Sequence, residues 1–242
     1  LLSRSAPDFV RELFAQEVPE IADGLLEIKE VARDPGQRAK IAVLARDQRI
    51  DPQGTCIGVR GSRVNAVSNE IGGERIDVVL WSDDTAQFVI NALSPAQVSR
   101  IVIDDELNSV DVIVAEDQLA LAIGRGGQNV RLAAELTGLQ LNIMTLQEAE
   151  ERTAAESAAA RQLFVEQLEV SEEIADALVN EGFESVEEVA YVPASELLEV
   201  EGFDAELAES LRAKAREVVL KAAEEAEAKL NEIDEDLRTL DG

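Results

Sequence analysis

The sequence predicts an α+β chain: two tandem units of order α-β-β-α-α-β, followed by a small all-α domain. Three observations carry this reading. The stretch Ile57-Gly58-Val59-Arg60-Gly61-Ser62-Arg63-Val64 recurs 66 residues later as Ile123-Gly124-Arg125-Gly126-Gly127-Gln128-Asn129-Val130. The same pattern of apolar periodicity and glycine stops surrounds both copies. A second repeat, Glu181-Gly182-Phe183 and Glu201-Gly202-Phe203, lies between helical patterns near the C-terminus, with an offset of 20 residues.

Phe9, Val10, Leu13 and Phe14 are helically spaced, so Pro7 to Glu17 is expected to be a helix that Pro19 ends. Leu25 to Val31 reads as a strand, Asp34-Pro35-Gly36 as a turn and Lys40 to Ala45 as the return strand. Asp51-Pro52 places an N-cap before a proline at the first helical position, opening a short helix that stops at Gly58. Val64, Val67 and Ile71 mark the next helix, closed by Gly72-Gly73, and Ile76 to Trp81 is the third strand. The order then repeats. Asp84 to Leu93 is helical, Val98 to Ile103 and Val110 to Val114 are strands, and Asp117 to Ile123 is a helix. Val130, Ala133, Ala134 and Leu136 line the helix after the second loop, and Leu139 to Met144 is the last strand.

From Gln147 the texture changes to alanine and glutamate. The expected domains are 1–81 and 82–146 for the two repeats, 147–161 for a helical linker, 162–220 for an acidic pair of helix-hairpin-helix units and 221–242 for an acidic tail. Lys221 to Leu230 is polar and helix-prone, and Asp234 to Gly242 has no core of its own.

The net charge of −28 is unevenly spread. Residues 1–150 hold 14 basic and 24 acidic side chains, whereas residues 151–242 hold 8 and 26, a net −18. Within residues 29–63 the balance reverses, to 8 basic against 4 acidic. A basic strip (Lys29, Arg33, Arg38, Lys40, Arg46, Arg49) therefore leads into the first loop. These cations either extend a nucleic-acid track or form a solvated hairpin face; both readings stay open from sequence alone.

No histidine is present, which removes the commonest catalytic base and metal ligand. Cys56 is the single cysteine, so no intrachain disulfide forms and a reducing compartment is expected. It reads as a small core residue, and Trp81 as a packing residue. Asp83-Asp84 and Asp104-Asp105 read as cap and turn positions. No catalytic residue, metal site or cofactor is expected. No apolar run approaches the roughly 20 residues of a membrane helix.

The two loops carry the chemistry. A phosphodiester backbone needs dense donors and close approach, and glycine removes the Cβ that would block it. A turn that opens a helix adds oriented N–H groups and the positive end of the helix dipole. Arg60, Arg63, Arg125 and Arg131 add full charges, and neither loop contains an acid. G-x-x-G turns of this kind clamp nucleic-acid backbone in KH domains. A nucleotide-enzyme reading fails, because no Walker lysine follows and each loop joins two helices. In the C-terminal module, Glu199, Glu201, Asp204, Glu206 and Glu209 surround the second hairpin, and these acids would repel phosphate. That module reads as protein-binding or as an autoinhibitory mimic of nucleic acid, with a solvated acidic spacer as the alternative.

Residues 5–146 resemble the tandem type II KH domains of the bacterial NusA family of transcription termination and antitermination factors. The matching words are Phe9-Val10-Arg11-Glu12-Leu13-Phe14, Glu17-Val18-Pro19-Glu20-Ile21, Ile57-Gly58-Val59-Arg60-Gly61, Phe88 to Ala96 and Leu121 to Ala133. Residues 162–220 are similar to the first of two acidic repeats in some members, through Leu178 to Phe183 and Ala190-Tyr191-Val192-Pro193. The resemblance implies a non-enzymatic, cytoplasmic, monomeric factor that contacts nascent single-stranded RNA and works with RNA polymerase and other transcription factors. The alternative is a protein-interaction scaffold whose KH units do not bind RNA. The candidate RNA-contacting residues are Gly58, Val59, Arg60, Gly61, Arg63, Gly124, Arg125, Gly126, Gly127, Gln128, Asn129 and Arg131. In the family a polymerase-binding domain and an S1 domain precede the KH pair. Leu1 to Arg4 would be the exit from the latter, and Leu240 to Gly242 the entry to a second acidic repeat.

Overall fold

The repeat in the sequence is a repeat in structure. The computed structural model describes residues 3–47 and 49–240, and the chain divides after Ala149 into two compact units. Leu1, Leu2, Asp241 and Gly242 lie outside the described residues, and so do most of the junctions expected at the two chain ends.

Helix α1 (Pro7–Glu17) begins on a proline, whose missing N–H would have had no helical partner. A one-turn helix, α2 (Pro19–Ala22), follows where sequence reading saw only a helix stop; four residues are too few to show a period. Strands β1 (Leu26–Asp34) and β2 (Arg38–Ala45) form the expected hairpin, closed by Gln37 N–H donating to Asp34 O at 3.0 Å. Helix α3 (Pro52–Ile57), a 3-10 turn over Val59–Gly61, α4 (Ser62–Glu70) and β3 (Arg75–Leu80) complete the unit. The second copy runs α5 (Thr85–Leu93), β4 (Val98–Asp104), β5 (Ser109–Val114), α6 (Glu116–Ile123), a 3-10 turn over Arg125–Gly127, α7 (Gln128–Thr137) and β6 (Gln140–Thr145).

Both sheets have the same topology. β1 pairs antiparallel with β2, and β2 pairs parallel with β3, from Arg38 opposite Arg75 to Val43 opposite Leu80. The second sheet repeats this from Ser109 opposite Gln140 to Val114 opposite Thr145. The parallel pairing demands a crossover, and α3 and α4, or α6 and α7, supply it. Even the bulge recurs, between Ile28 and Glu30 and between Val98 and Arg100.

Side-chain alternation on β2 explains how the two copies join. Ile41 and Val43 face the first core with Phe14, Ile28, Cys56 and Val67. Ala42 sits on the opposite face and, with Ala32 and Val79, belongs to the core built by Phe88, Leu93, Val112, Leu132 and Leu136 of the second copy. The alanines leave room for α7 against the back of the first sheet. A strand covered on both faces is buried throughout its centre, as β2 is.

The C-terminal unit is all helical. Helix α8 (Leu146–Leu168) runs without a break through the segment expected as a linker, and its Ala160, Phe164 and Leu168 are buried in the core of that unit with Leu178, Val189 and Leu211. Helices α9 (Glu172–Asn180) and α10 (Val186–Tyr191) flank the first Glu-Gly-Phe hairpin, and α11 (Ala194–Leu197) and α12 (Ala205–Leu240) the second. Gly182 and Gly202 adopt φ of 99° and 86°, a turn that side chains disfavour. Ser171, Ser185 and Asp204 cap the helices that follow them. Helix α12 takes in the polar stretch expected from Lys221 to Leu230. Among the described residues, no helix is long and apolar enough to cross a membrane, and no group of three or more Cys, Asp or Glu side chains could hold a metal ion.

Candidate nucleic-acid interface

The two glycine loops have the same backbone trace. Gly58 and Gly124 both sit at φ 74°, ψ 172°, a region that only glycine occupies readily. Each ends the preceding helix, donating its N–H to Gly54 O at 2.9 Å or to Ala120 O at 3.0 Å. Gly61 N–H donates to Gly58 O at 3.0 Å, and Gly127 N–H to Gly124 O at 3.1 Å. The third position is left-handed in both: Arg60 at φ 53°, ψ 30° and Gly126 at φ 61°, ψ 28°. The first N–H of α4, on Ser62, donates to Val59 O, and that of α7, on Gln128, donates to Arg125 O, so each turn runs directly into the N-terminus of the next helix.

Side chains around the loops divide into two sets. Val59 is 83% exposed, and Arg60, Arg125 and Gly126 are also exposed. Among the described residues of the first unit, Arg60, Arg100 and Arg125 are the cations without an ion pair. Two of these three are therefore on the loops.

The other polar candidates hold the scaffold. Arg63 donates to Thr55 O at 2.8 Å and pairs with Glu20 at 3.0 Å. Asn129, at the equivalent place in the repeat, is buried and donates to Leu93 O at 3.0 Å, Leu121 O at 3.3 Å and Ala122 O at 3.2 Å. Thr55 and Leu121 are themselves equivalent, so both side chains tie the helix after the loop to free carbonyls at the end of the helix before it. Gln128 and Arg131 both donate to Asp34, each at 2.8 Å, with the Arg131 side chain still 61% exposed. Nothing in the sequence near these residues announces Glu20 or Asp34, which are 43 and up to 97 residues away.

The basic strip is not a continuous track. Arg33 is buried against Glu74. Arg38 and Lys40 share Asp77, with Lys40 wholly buried at 3.2 Å. Burial lowers the Lys40 ammonium to about 8, with Asp77 opposing the shift. Lys29 and Arg46 pair with Glu27, and Arg49 with Asp47. Trp81 packs against Phe88, with centroids 6.4 Å apart, and beneath the Lys29 ammonium at 5.0 Å. Cys56 is buried, and burial pushes its thiol up to about 11, so it stays protonated at neutral pH. Asp84 accepts from Gln87 N–H as a helix cap, and Asp104 accepts from Leu107 N–H in a turn.

Comparison with known proteins adds the family. Residues 4–81 match the model of a NusA-like first KH domain, and residues 85–151 that of a NusA-like second KH domain. The chain is 46% identical over 235 residues to the transcription termination/antitermination protein NusA of Rickettsia prowazekii (strain Madrid E), covering 96% of this chain and 47% of that protein. The chain belongs to the NusA family. Its identity to the NusA protein of Rickettsia conorii (strain ATCC VR-613 / Malish 7) is 48% over 217 residues, covering 88% of this chain and 43% of that protein. The chain thus spans about half the length of the curated NusA relatives it matches. Among solved structures, the crystal structure of APE1850 is 20% identical, with a TM-score of 0.42 over 56% of this chain and 94% of that one. Both α-β-β-α-α-β units are KH domains, and each contains one of the G-x-x-G turns described above.

Proposed function

We propose that the two KH domains bind single-stranded RNA through both G-x-x-G loops, as the RNA-contacting part of a transcription termination and antitermination factor. One observation carries this reading: two loops of identical backbone trace each present an exposed arginine, Arg60 or Arg125, that no acid neutralises among the described residues. RNA backbone crosses each loop at its exposed middle residues, beside the N-terminus of the helix that follows. Arg60 and Arg125 supply the charge, and exposed Val59 adds apolar contact with sugar or base. The names of the two relatives support a role in transcription termination and antitermination, and that role is carried out beside RNA polymerase. The factor works as a monomer in the cytoplasm, on the nascent transcript. Its acidic helical module, with net −18 over residues 151–242, contacts other transcription proteins or restrains RNA binding.

The test leaves the structural glycines in place. Val59→Asp with Arg60→Asp, combined with Arg125→Asp and Gly126→Asp, should weaken binding of an unstructured RNA roughly a hundredfold or more, since each loop turns from cationic to anionic. Aspartate tolerates the left-handed conformation at positions 60 and 126, and a Cβ at Gly126 meets nothing within 4 Å. Circular dichroism should therefore be unchanged. Undiminished RNA affinity in the folded variant would favour the scaffold reading.

A further inference from the structure

The second loop is fastened to the first KH domain at its own edge. Helix α7 starts immediately after that loop, and Gln128 and Arg131 on its first turn both reach the hairpin tip of the first domain. Gln128 Nε2 and an Arg131 Nη2 donate to the same Asp34 Oδ2, each at 2.8 Å. Gln128 Nε2 also lies 3.2 Å from Gln37 Oε1. The tip is held firmly from behind: Gln37 N–H bonds Asp34 O, Gly36 N–H bonds Glu74 Oε1 at 2.7 Å, and Glu74 grips Arg33. The Gln128 hydrogen bond and the Arg131 charge hold the Asp34 carboxyl below its ordinary range against the cost of burial, so it stays ionised.

The apolar part of the junction does not fix position by itself. Ala32 and Ala42, small side chains of the first sheet, share one buried cluster with Leu132, Ala133 and Leu136 of α7. Methyl groups permit close approach but offer little to stop a helix from sliding along its axis. Hydrogen bonds are directional and do stop it. The one carboxylate that takes both donors lies at the end of α7 that carries the loop.

We propose that Asp34 is a positioning residue: by holding the first turn of α7, it sets the spacing of the two G-x-x-G loops so that one RNA strand engages both. The inference rests on the RNA-binding reading above and adds a residue that does not itself contact RNA. It also explains a cost. Asp34 neutralises Arg131, a cation that would otherwise face phosphate, and this is useful only if alignment of the loops returns more than the lost charge. A second loop engaged on the same strand acts at an effective concentration in the millimolar range when the spacing fits, and contributes nothing when it does not.

Loss of Asp34 should therefore have different effects on short and long RNA. A KH loop clamps about four nucleotides, so an RNA of about 4 nucleotides occupies one loop, and an unstructured RNA of about 12 is offered to both. In the full chain, Asp34→Ala should weaken binding of the longer RNA about tenfold or more. The short RNA should bind equally well or more tightly, because Arg131 is freed. Asp34→Asn keeps an acceptor oxygen for both donors and should fall between the two for the longer RNA, which guards against a variant that merely misfolds. Equal weakening for both RNAs would assign Asp34 a structural role only, and unchanged or tighter binding of the longer RNA would also overturn the proposal. If the unmodified chain bound neither RNA, the RNA-binding reading itself would fall, a result distinct from either of these.

Discussion

Replacing Glu74 with alanine is expected to cost the first KH domain about 3–5 kcal/mol, the penalty for leaving one member of a buried ion pair alone. The side chains of Arg33 and Glu74 are 3% and 2% exposed. Arg33 Nε donates to Glu74 Oε2 at 2.9 Å and Arg33 Nη2 to Oε1 at 2.7 Å, a two-point contact that leaves neither group able to recruit water. Arg33 Nη1 also donates to the carbonyls of Arg4 and Ala6, so the same guanidinium fastens the segment leading into α1. Arg33→Met with Glu74→Leu, which removes both charges, should cost far less than Glu74→Ala. Acid should reproduce the effect. Burial opposes ionisation of Glu74, but the Arg33 and Gly36 hydrogen bonds and the Arg33 charge outweigh it, holding the carboxyl below 4.5. A carboxylate with a depressed folded value stabilises fully above its unfolded pKa and progressively less as pH falls through the folded one. The stability gap between the unmodified chain and Glu74→Gln should thus be constant near neutrality and narrow below about pH 4.5, as followed by chemical denaturation. A Glu74→Ala cost under about 1 kcal/mol would contradict the buried-pair account.

Two glycines of the second loop should respond very differently to the same substitution. A Cβ at Gly124 would lie 2.7 Å from Asn129 Cβ and 2.8 Å from Asn129 N, on a backbone at φ 74° and ψ 172°. Strain there costs about 1–3 kcal/mol, and the clash is with backbone that cannot swing away, so Gly124→Ala should destabilise the second domain by roughly 3 kcal/mol or more. Gly126 is left-handed but open, with nothing within 4 Å of an added Cβ. Gly126→Ala should cost about 1–2 kcal/mol. Arg60 already occupies the matching position in the first loop, so a Cβ is accepted there. Equal shifts in thermal midpoint for the two variants would mean that backbone geometry does not govern this loop. Gly58→Ala should behave as Gly124→Ala does, since its Cβ would meet Ser62 Oγ at 2.9 Å and Arg63 N at 3.0 Å.

Much of the fold was legible because local signals agreed with one another. Apolar spacing, a proline at the first position of α3 and glycines at helix ends gave the element order twice, and the copies supported each other. The continuity of α8 was also visible in principle, since Ala160, Phe164 and Leu168 recur every four residues, but the surrounding alanine and glutamate masked that stripe. The fate of the basic strip was not legible, because a charge count runs along the chain, whereas strands present alternate residues to opposite faces. Arg38 and Lys40 share the face that meets the second domain, and their acid, Asp77, arrives only through the pairing of Lys40 with Asp77 in the parallel ladder. Arg63 and Asn129 carry the same lesson for the site. Both sit beside a G-x-x-G turn, and both spend their donors on carbonyls and acids of the protein. What the sequence could not display was which cations were already neutralised.

The shared core has a consequence for how the KH pair comes apart. Ala32, Ala42 and Val79 of the first domain complete a core whose other members lie in the second, and Lys40 is buried with its ammonium 3.4 Å from Ser94 O across the junction. Separating the domains would wet that apolar surface and strand the lysine's environment in one step, so neither domain has a cheap route to open alone. Calorimetry should record a single cooperative transition for the pair, and amides in the centre of β2 and in α7 should exchange hydrogen through the same global opening. In thermodynamic terms the two repeats are one folding unit.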